Sequence, residues 1–327
     1  MADTIRWGIL GPGGIARKFA EGLDALPDAC LTAVGSRSQK RANAFADEFG
    51  APNRHDSYAA LAGDPDVDAV YVATPHPYHC ENTILCLNAG KAVLCEKPFA
   101  VNAGEVKDMI ACARSNGVFL MEAMWTRWLP NVVKVREWLA DGAIGDVRML
   151  LIDFGFRCGW NPESRLLNPD LAGGALLDVG IYTVSFASMV FGRAPACIAS
   201  VGHIGETGVD EQAGMLLGYD GGGQAVLSTA IRTNTYQLAR IHGTDGMIEV
   251  PAFWRGTSAV LRRNGKSEEV FDETRIGSGY NHEAEEVGRC LRNGDLESAI
   301  LPLDESLAIM KTMDIIRDQI GVKYPFE

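Results

Sequence analysis

The stretch Ile5-Arg6-Trp7-Gly8-Ile9-Leu10-Gly11-Pro12-Gly13-Gly14-Ile15-Ala16 lies close to the start of the chain and decides the fold class. A short apolar run over 5–10 ends in Gly11-x-Gly13-x-x-Ala16, and apolar residues then recur at helical spacing at Ile15, Phe19, Leu23 and Leu26. A strand, a glycine turn and a helix in that order give G-x-G-x-x-A a mechanism. Gly11 permits the tight turn, Gly13 lets the backbone approach a pyrophosphate, and Ala16 keeps helix and strand close. The helix start at Gly14 and Ile15 offers unpaired N–H groups and a partial positive charge to phosphates. Alone the motif also describes an ordinary glycine turn, so its weight comes from the strands and helices downstream of it.

Strand and helix patterns alternate as far as residue 123. Strands are expected at 31–35, 67–73, 92–95 and 118–121, and helices at 40–49, 57–62, 78–89 and 102–116. Apolar strands separated by helices imply a parallel sheet covered on both faces, a doubly wound N-terminal domain over 1–123. The remainder, 124–327, reads as a second α/β domain. After a helix at 131–139 come strand-like segments at 147–154, 197–204, 213–219, 224–231, 237–242 and 247–250, many parted by glycine turns. They suggest an open, mostly antiparallel sheet with a few helices on one face. Helices are expected at 176–190, 280–293 and 306–320. The last is placed to pack back on the first domain, which would make the boundary discontinuous.

Composition narrows the function classes. The 327 residues carry a formal charge of −12 and are 47% apolar and 22% charged, as in an ordinary globular protein. The acidic balance argues against a nucleic-acid partner and against a polybasic membrane contact. No uninterrupted apolar run approaches the ~20 residues needed to cross a bilayer. Residues 1–6 run into a strand without the marks of a secretory signal. The eight cysteines are scattered, with no C-x-x-C pair, and read as reduced small hydrophobes of a cytoplasmic protein. His76, His79 and Cys80 cluster, but no second pair completes a zinc set, so no metal is expected.

The end of the second strand points to the coenzyme. An NAD site places Asp or Glu there for the ribose 2′-hydroxyl. This chain has Ser36 and Arg37, with Arg41 a helical turn later, which suit a 2′-phosphate. The expectation is therefore NADP, with NAD the alternative. Glu96-Lys97-Pro98 closes a strand at its carboxyl end, the end that faces the ligand crevice. So does Thr74-Pro75-His76-Pro77-Tyr78-His79. Thr74, Pro75, His79, Glu96 and Lys97 join Gly11, Gly13, Gly14, Ile15, Ser36, Arg37 and Arg41 as candidate coenzyme contacts. Asp178 and Tyr182 lie four apart in an apolar helix, sharing one face. Polar groups in such surroundings need a partner or a purpose. Trp125, Arg127, Phe154, Arg157 and Trp160 are candidate substrate contacts, with Tyr280 and His282 behind them.

With these residues in view the chain resembles the Gfo/Idh/MocA oxidoreductases, nearly end to end. The resemblance rests on Arg6-Trp7-Gly8-Ile9 with the glycine turn, on Gly90 to Pro98, on Phe119 to Arg127 and on Gly173 to Tyr182. Within the family it looks closest to dihydrodiol dehydrogenases and NADP-dependent D-xylose dehydrogenases. Tyr182 stands where many members carry His. The resemblance implies a Rossmann domain followed by an open, largely antiparallel sheet, and a homodimer or higher homo-oligomer, often formed through the sheet face. It also implies that Lys97 and Tyr182 are catalytic. Chemistry supplies roles: oxidising a secondary alcohol of a sugar or cyclic diol releases a proton, free Tyr has a pKa of ~10, and a nearby Lys⁺ lowers it. Tyr182 would then be the acid/base and Lys97 its electrostatic partner, or Lys97 itself would carry the proton. Asp178 would orient the pair or bind a hydroxyl. The other class is a non-catalytic dinucleotide sensor of the same fold.

Overall fold

The computed structural model describes residues 4–327; residues 1–3, assigned above to the first domain, lie outside them. The chain divides into two compact units: residues up to Trp125 together with Arg275–Leu307, and Thr126–Thr274 together with Ala308–Glu327.

In the first unit, strands β1 (Ile5–Leu10), β2 (Ala29–Gly35), β3 (Asn53–His55), β4 (Ala69–Val72), β5 (Ala92–Glu96) and β6 (Leu120–Ala123) form one parallel sheet in the order β3-β2-β1-β4-β5-β6. Helices α1 (Gly14–Leu23), α2 (Gln39–Phe49), α3 (Tyr58–Ala62), α4 (His79–Asn88) and α5 (Ala103–Asn116) connect the strands. Every residue of β4, β5 and β6 is buried, which is why these strands read as unbroken apolar runs. The order reverses between β1 and β4, so the crevice opens at their carboxyl ends. Phe19 of α1 packs edge-on against Trp7 at 5.0 Å and stacks on Tyr71 at 3.8 Å, which pins that helix to the sheet.

The segment 275–307 corrects the expected boundary, which gave all of 124–327 to the second domain. Its helix, Asn281–Asn293, is amphipathic and buries Ala284, Val287 and Cys290 in the first unit. Arg292 pairs with Asp28 at 2.5 Å, Leu296 O accepts the Leu120 N–H at 3.1 Å, and Ser306 Oγ donates to Glu122 at 2.7 Å. The final helix, Leu303–Ile320, belongs to the first unit only as far as Leu307. Residues 308–320 were expected on the first domain, yet they belong to the second unit.

The second unit holds α6 (Pro130–Ala140), α7 (Ile181–Phe191) and an eight-stranded sheet. Its strands are β7 (Val147–Gly155), β8 (Cys197–Ile204), β9 (Asp210–Gly218), β10 (Gln224–Ala230), β11 (Leu238–Gly243), β12 (Gly246–Pro251), β13 (Ser258–Arg263) and β14 (Glu269–Asp272). The order is β14-β13-β12-β11-β7-β10-β9-β8, and every neighbouring pair is antiparallel except β7 and β10. The short strands β3, β13 and β14 escaped the sequence reading because three to six residues of mixed polarity carry little period-2 signal. The run Pro169–Phe191 is long and apolar enough to cross a bilayer by composition, but 78% of its most apolar window is buried in the protein, as in a core helix. That run is not one regular helix: a π-helical turn, Leu176–Gly180, precedes α7.

Candidate active site

The glycine turn after β1 fits a dinucleotide. Gly11 has φ +92°, and a Cβ there would lie 2.9 Å from the Ala73 carbonyl oxygen, so only glycine lets β1 and β4 approach here. No side chain caps α1 and no acid stands in its first turn, and nothing lies within 4 Å of a Cβ built on Gly14. The N–H groups of that turn are thus open to an anion. Beyond β2, Arg37 and Arg41 are exposed, Arg37 over the Tyr78 ring at 5.7 Å. Ser36 is buried and its Oγ accepts the Ser38 N–H at 3.2 Å. Gly11, Gly13, Gly14 and Ile15 would hold the pyrophosphate, and Ser36, Arg37 and Arg41 the 2′-phosphate.

His79 and Glu96 shape the crevice from behind. His79 is fully buried, its two ring nitrogens 2.8 Å from the carbonyl oxygens of Pro98 and Thr74. It therefore ties the turn after β4 to the one after β5. Burial pushes its pKa down, with a smaller push from the Lys97 charge. The Glu96 carboxylate points inward, accepting the Tyr71 hydroxyl and the Lys97 N–H. Glu96 and His79 were both expected to face the coenzyme; in the structure each grips the backbone at Thr74 or Lys97–Pro98. The Lys97–Pro98 peptide is cis. Lys97 itself is partly exposed, next to buried Pro98. Thr74 is buried and Pro75 exposed on the neighbouring turn. Trp125, at the end of this unit, stacks on Tyr280 at 4.4 Å.

Beneath Glu96 lies a group no motif announced. Glu283, on the helix Asn281–Asn293, is wholly buried, and neither carboxyl oxygen has a hydrogen-bond partner. Burial, and then the charge of Glu96, push its pKa well above the ordinary range. Tyr71 is raised the same way, by burial first. Both causes favour the neutral acid over the carboxylate at Glu283.

In the second unit Tyr182 stands in an aromatic wall. Its ring meets Phe154 edge-on at 5.3 Å and Trp254 at 6.3 Å, and Phe154 stacks on Trp254 at 4.8 Å. Trp254 Nε1 donates to Gln237 at 2.9 Å, which fixes the indole. Buried Asp178 pairs with Arg165 at 2.7 Å. Sequence reasoning missed both Trp254 and Arg165. The buried acid implied a partner, but nothing in an irregular loop or a turn after a strand said which residue would reach it. Other candidates go elsewhere. Arg127 is buried and donates to Ser185 Oγ at 3.2 Å and Ser185 O at 2.7 Å, so it holds α7. Arg157 and Trp160 lie on an exposed stretch after β7, with the Arg232 guanidinium 5.3 Å from the Trp160 ring. Among the described residues no three His, Cys, Asp or Glu side chains group to hold a metal.

Comparison with known proteins shows the family. The oxidoreductase family with an NAD-binding Rossmann fold, Gfo/Idh/MocA, matches residues 5–124, and the family's C-terminal domain matches 132–249. The chain is 43% identical to trans-1,2-dihydrobenzene-1,2-diol dehydrogenase of Mus musculus and 40% identical to that of Homo sapiens, covering 98% of both chains in each pair. Among solved structures it is similar to an aldose-aldose oxidoreductase from Caulobacter crescentus, with 25% identity and TM-score 0.89 over 97% of this chain and 98% of that one. A 3-ketoreductase from Actinomadura kijaniata, solved with NADP and TDP-benzene, gives 26% identity and TM-score 0.85 over the same shares. An N-terminal dinucleotide turn with an arginine after β2, a lysine after β5 and a buried tyrosine on α7 thus come with matches over nearly the whole length, and the chain belongs to the Gfo/Idh/MocA family of oxidoreductases.

Proposed function

We propose that this chain is an NADP(H)-dependent dehydrogenase acting on the CH–OH group of a cyclic diol or a sugar, as the names of its relatives suggest. The observation that carries it is the Tyr182 phenol, buried between Phe154 and Trp254 on the helix that also holds the Asp178–Arg165 pair. When bound, the nicotinamide supplies hydride exchange at its C4. Tyr182 takes the hydroxyl proton in oxidation and returns it in reduction, and Lys97 is the second catalytic group, a cation of the kind that favours a phenolate. The aromatic wall offers a flat apolar face to a diol ring or to the C–H face of a sugar. Arg165 orients the Asp178 carboxylate, which can accept a substrate hydroxyl.

The test is absorbance of reduced nicotinamide across a panel of trans-dihydrodiols and aldoses, D-xylose included. Tyr182→Phe and Lys97→Met are expected to cut turnover by ~10²–10⁴-fold while NADPH binding stays near normal. NADPH binding without turnover on the whole panel supports the sensor instead. Near-normal turnover in both variants removes this mechanism.

We also place the protein in the cytoplasm, a reading supported by eight free cysteines. We further infer that it assembles as a homodimer through the open face of the second sheet. Ala199, Leu216, Val226 and Leu151 lie in register across β8, β9, β10 and β7, and Leu216, Val226 and nearby Val201 are exposed. An apolar row of this kind needs a cover. Leu216→Glu with Val226→Glu is expected to halve the mass seen by light scattering; an unchanged mass removes this interface.

A further inference from the structure

The head of the helix that carries Asp178 and Tyr182 is held by a residue no motif singles out. Asp210 opens β9 and is wholly buried. Its Oδ2 accepts the N–H of Leu176, the first residue of the π-helical turn, at 2.6 Å. The other oxygen, Oδ1, is buried without a hydrogen-bond partner. The backbone is shaped to admit this carboxylate: Gly174 has φ +120°, and a Cβ there would collide with Oδ1. Two further bonds fix the same corner, Tyr324 Oη donating to Gly173 O at 3.0 Å and Thr229 Oγ1 donating to Ala175 O at 3.2 Å.

Such an acid is a costly way to start a helix. A solvent-exposed Ser or Asp caps a helix without being desolvated. Here burial pushes the Asp210 pKa up to about 7 against the opposing pull of nearby amides, that of Leu176 first. What the arrangement provides is rigidity, because a buried acceptor tied to a sheet strand cannot slide as a solvated cap can.

We propose that Asp210 is a positioning residue for the reaction: by gripping the Leu176 amide at the head of the π-helical turn it sets the place of Asp178 and Tyr182 along the helix axis. This rests on the reading of Tyr182 as the acid/base. A displacement of about 1 Å at reacting groups costs on the order of 10²-fold in rate.

The experiment compares Asp210→Ala with Asp210→Asn, whose amide oxygen can still accept the Leu176 N–H. Turnover on the best diol or sugar, the Kd for NADPH and amide hydrogen exchange are measured on each. Asp210→Ala is expected to lose about 100-fold in kcat with the NADPH Kd within about twofold, and to exchange faster in the peptide spanning 175–183. Asp210→Asn is expected to restore kcat to within about threefold of the wild type. A wild-type kcat in folded Asp210→Ala overturns the proposal, as does a loss in Asp210→Asn equal to that in Asp210→Ala. If Asp210→Ala does not fold, Asp210→Ser is read by the same criteria. Tyr182→Phe is assayed alongside: full turnover there removes the acid/base reading, whereas an unchanged 175–183 exchange in Asp210→Ala removes the grip whatever Tyr182 does.

Discussion

The glycine turn of the first unit and the Tyr182 pocket of the second are built on opposite plans. The turn uses contiguous residues, Gly11 to Ala16, and works through backbone: a left-handed φ, a close strand approach and uncapped amides. The pocket joins Asp178 and Tyr182 of one helix to Phe154, Arg165 and Trp254 from a strand, a loop and a turn, and works through side chains. A backbone device tolerates changed neighbours but not an added Cβ. A side-chain device tolerates backbone variation but not truncation. Dinucleotide phosphates are the same in every substrate pair, so a fixed local device suffices, whereas a substrate pocket has to be assembled to fit.

Four measurements bear on that contrast. Gly11→Val puts a branched side chain at φ +92° and its Cβ 2.9 Å from a carbonyl oxygen. It should raise the NADPH Kd about 100-fold or more while the aromatic pocket's near-ultraviolet signal persists, and tight binding would deny the turn its role. Trp254→Ala removes the indole stacked on Phe154. It should lower kcat/KM for a cyclic trans-dihydrodiol by about 20-fold and leave the coenzyme Kd alone. Arg37→Ala should narrow the preference for NADP over NAD by about tenfold, read as a ratio of Kd values; an unchanged ratio removes the 2′-phosphate assignment.

The smallest effect concerns Glu283. Its folded pKa lies well above the ordinary 4.5, so between 4.5 and that raised value the unfolded chain has released a proton that the folded chain still holds. Stability therefore falls as pH rises through this window. Glu283→Gln, which cannot ionise, should match the wild type near pH 4 and melt about 2 °C higher near pH 8. A gap that fails to open between pH 4 and pH 8 would mean that Glu283 is ionised in the fold.

Much of the first unit was legible because its signals are local. Strand, turn and helix at 5–23 fall where the apolar spacing places them, and Arg37 follows β2 as the coenzyme reading requires. The boundary was not legible, since the amphipathic helix Asn281–Asn293 shows that it has a buried face but not which core receives it. Candidate residues divided in the same way. Phe154 and Tyr182 come together, while Arg127 turns into α7 and Trp160 stays exposed. His79 and Glu96 were found by their place at the end of a strand, but His79 lies against backbone carbonyls and Glu96 accepts the Tyr71 hydroxyl and the Lys97 N–H.

Local sequence was enough for most strands and helices of the first unit, for the dinucleotide turn and for the coenzyme class, and it nominated Lys97, Asp178 and Tyr182, since each reading rests on residues within a turn or two of one another. Long-range packing settled that 275–307 joins the first unit, that Arg165 and Trp254 border Asp178 and Tyr182, and that Asp210 and Glu283 are buried acids. Those facts depend on which distant surfaces exclude water from one another, and no short-range pattern records a partner far along the chain.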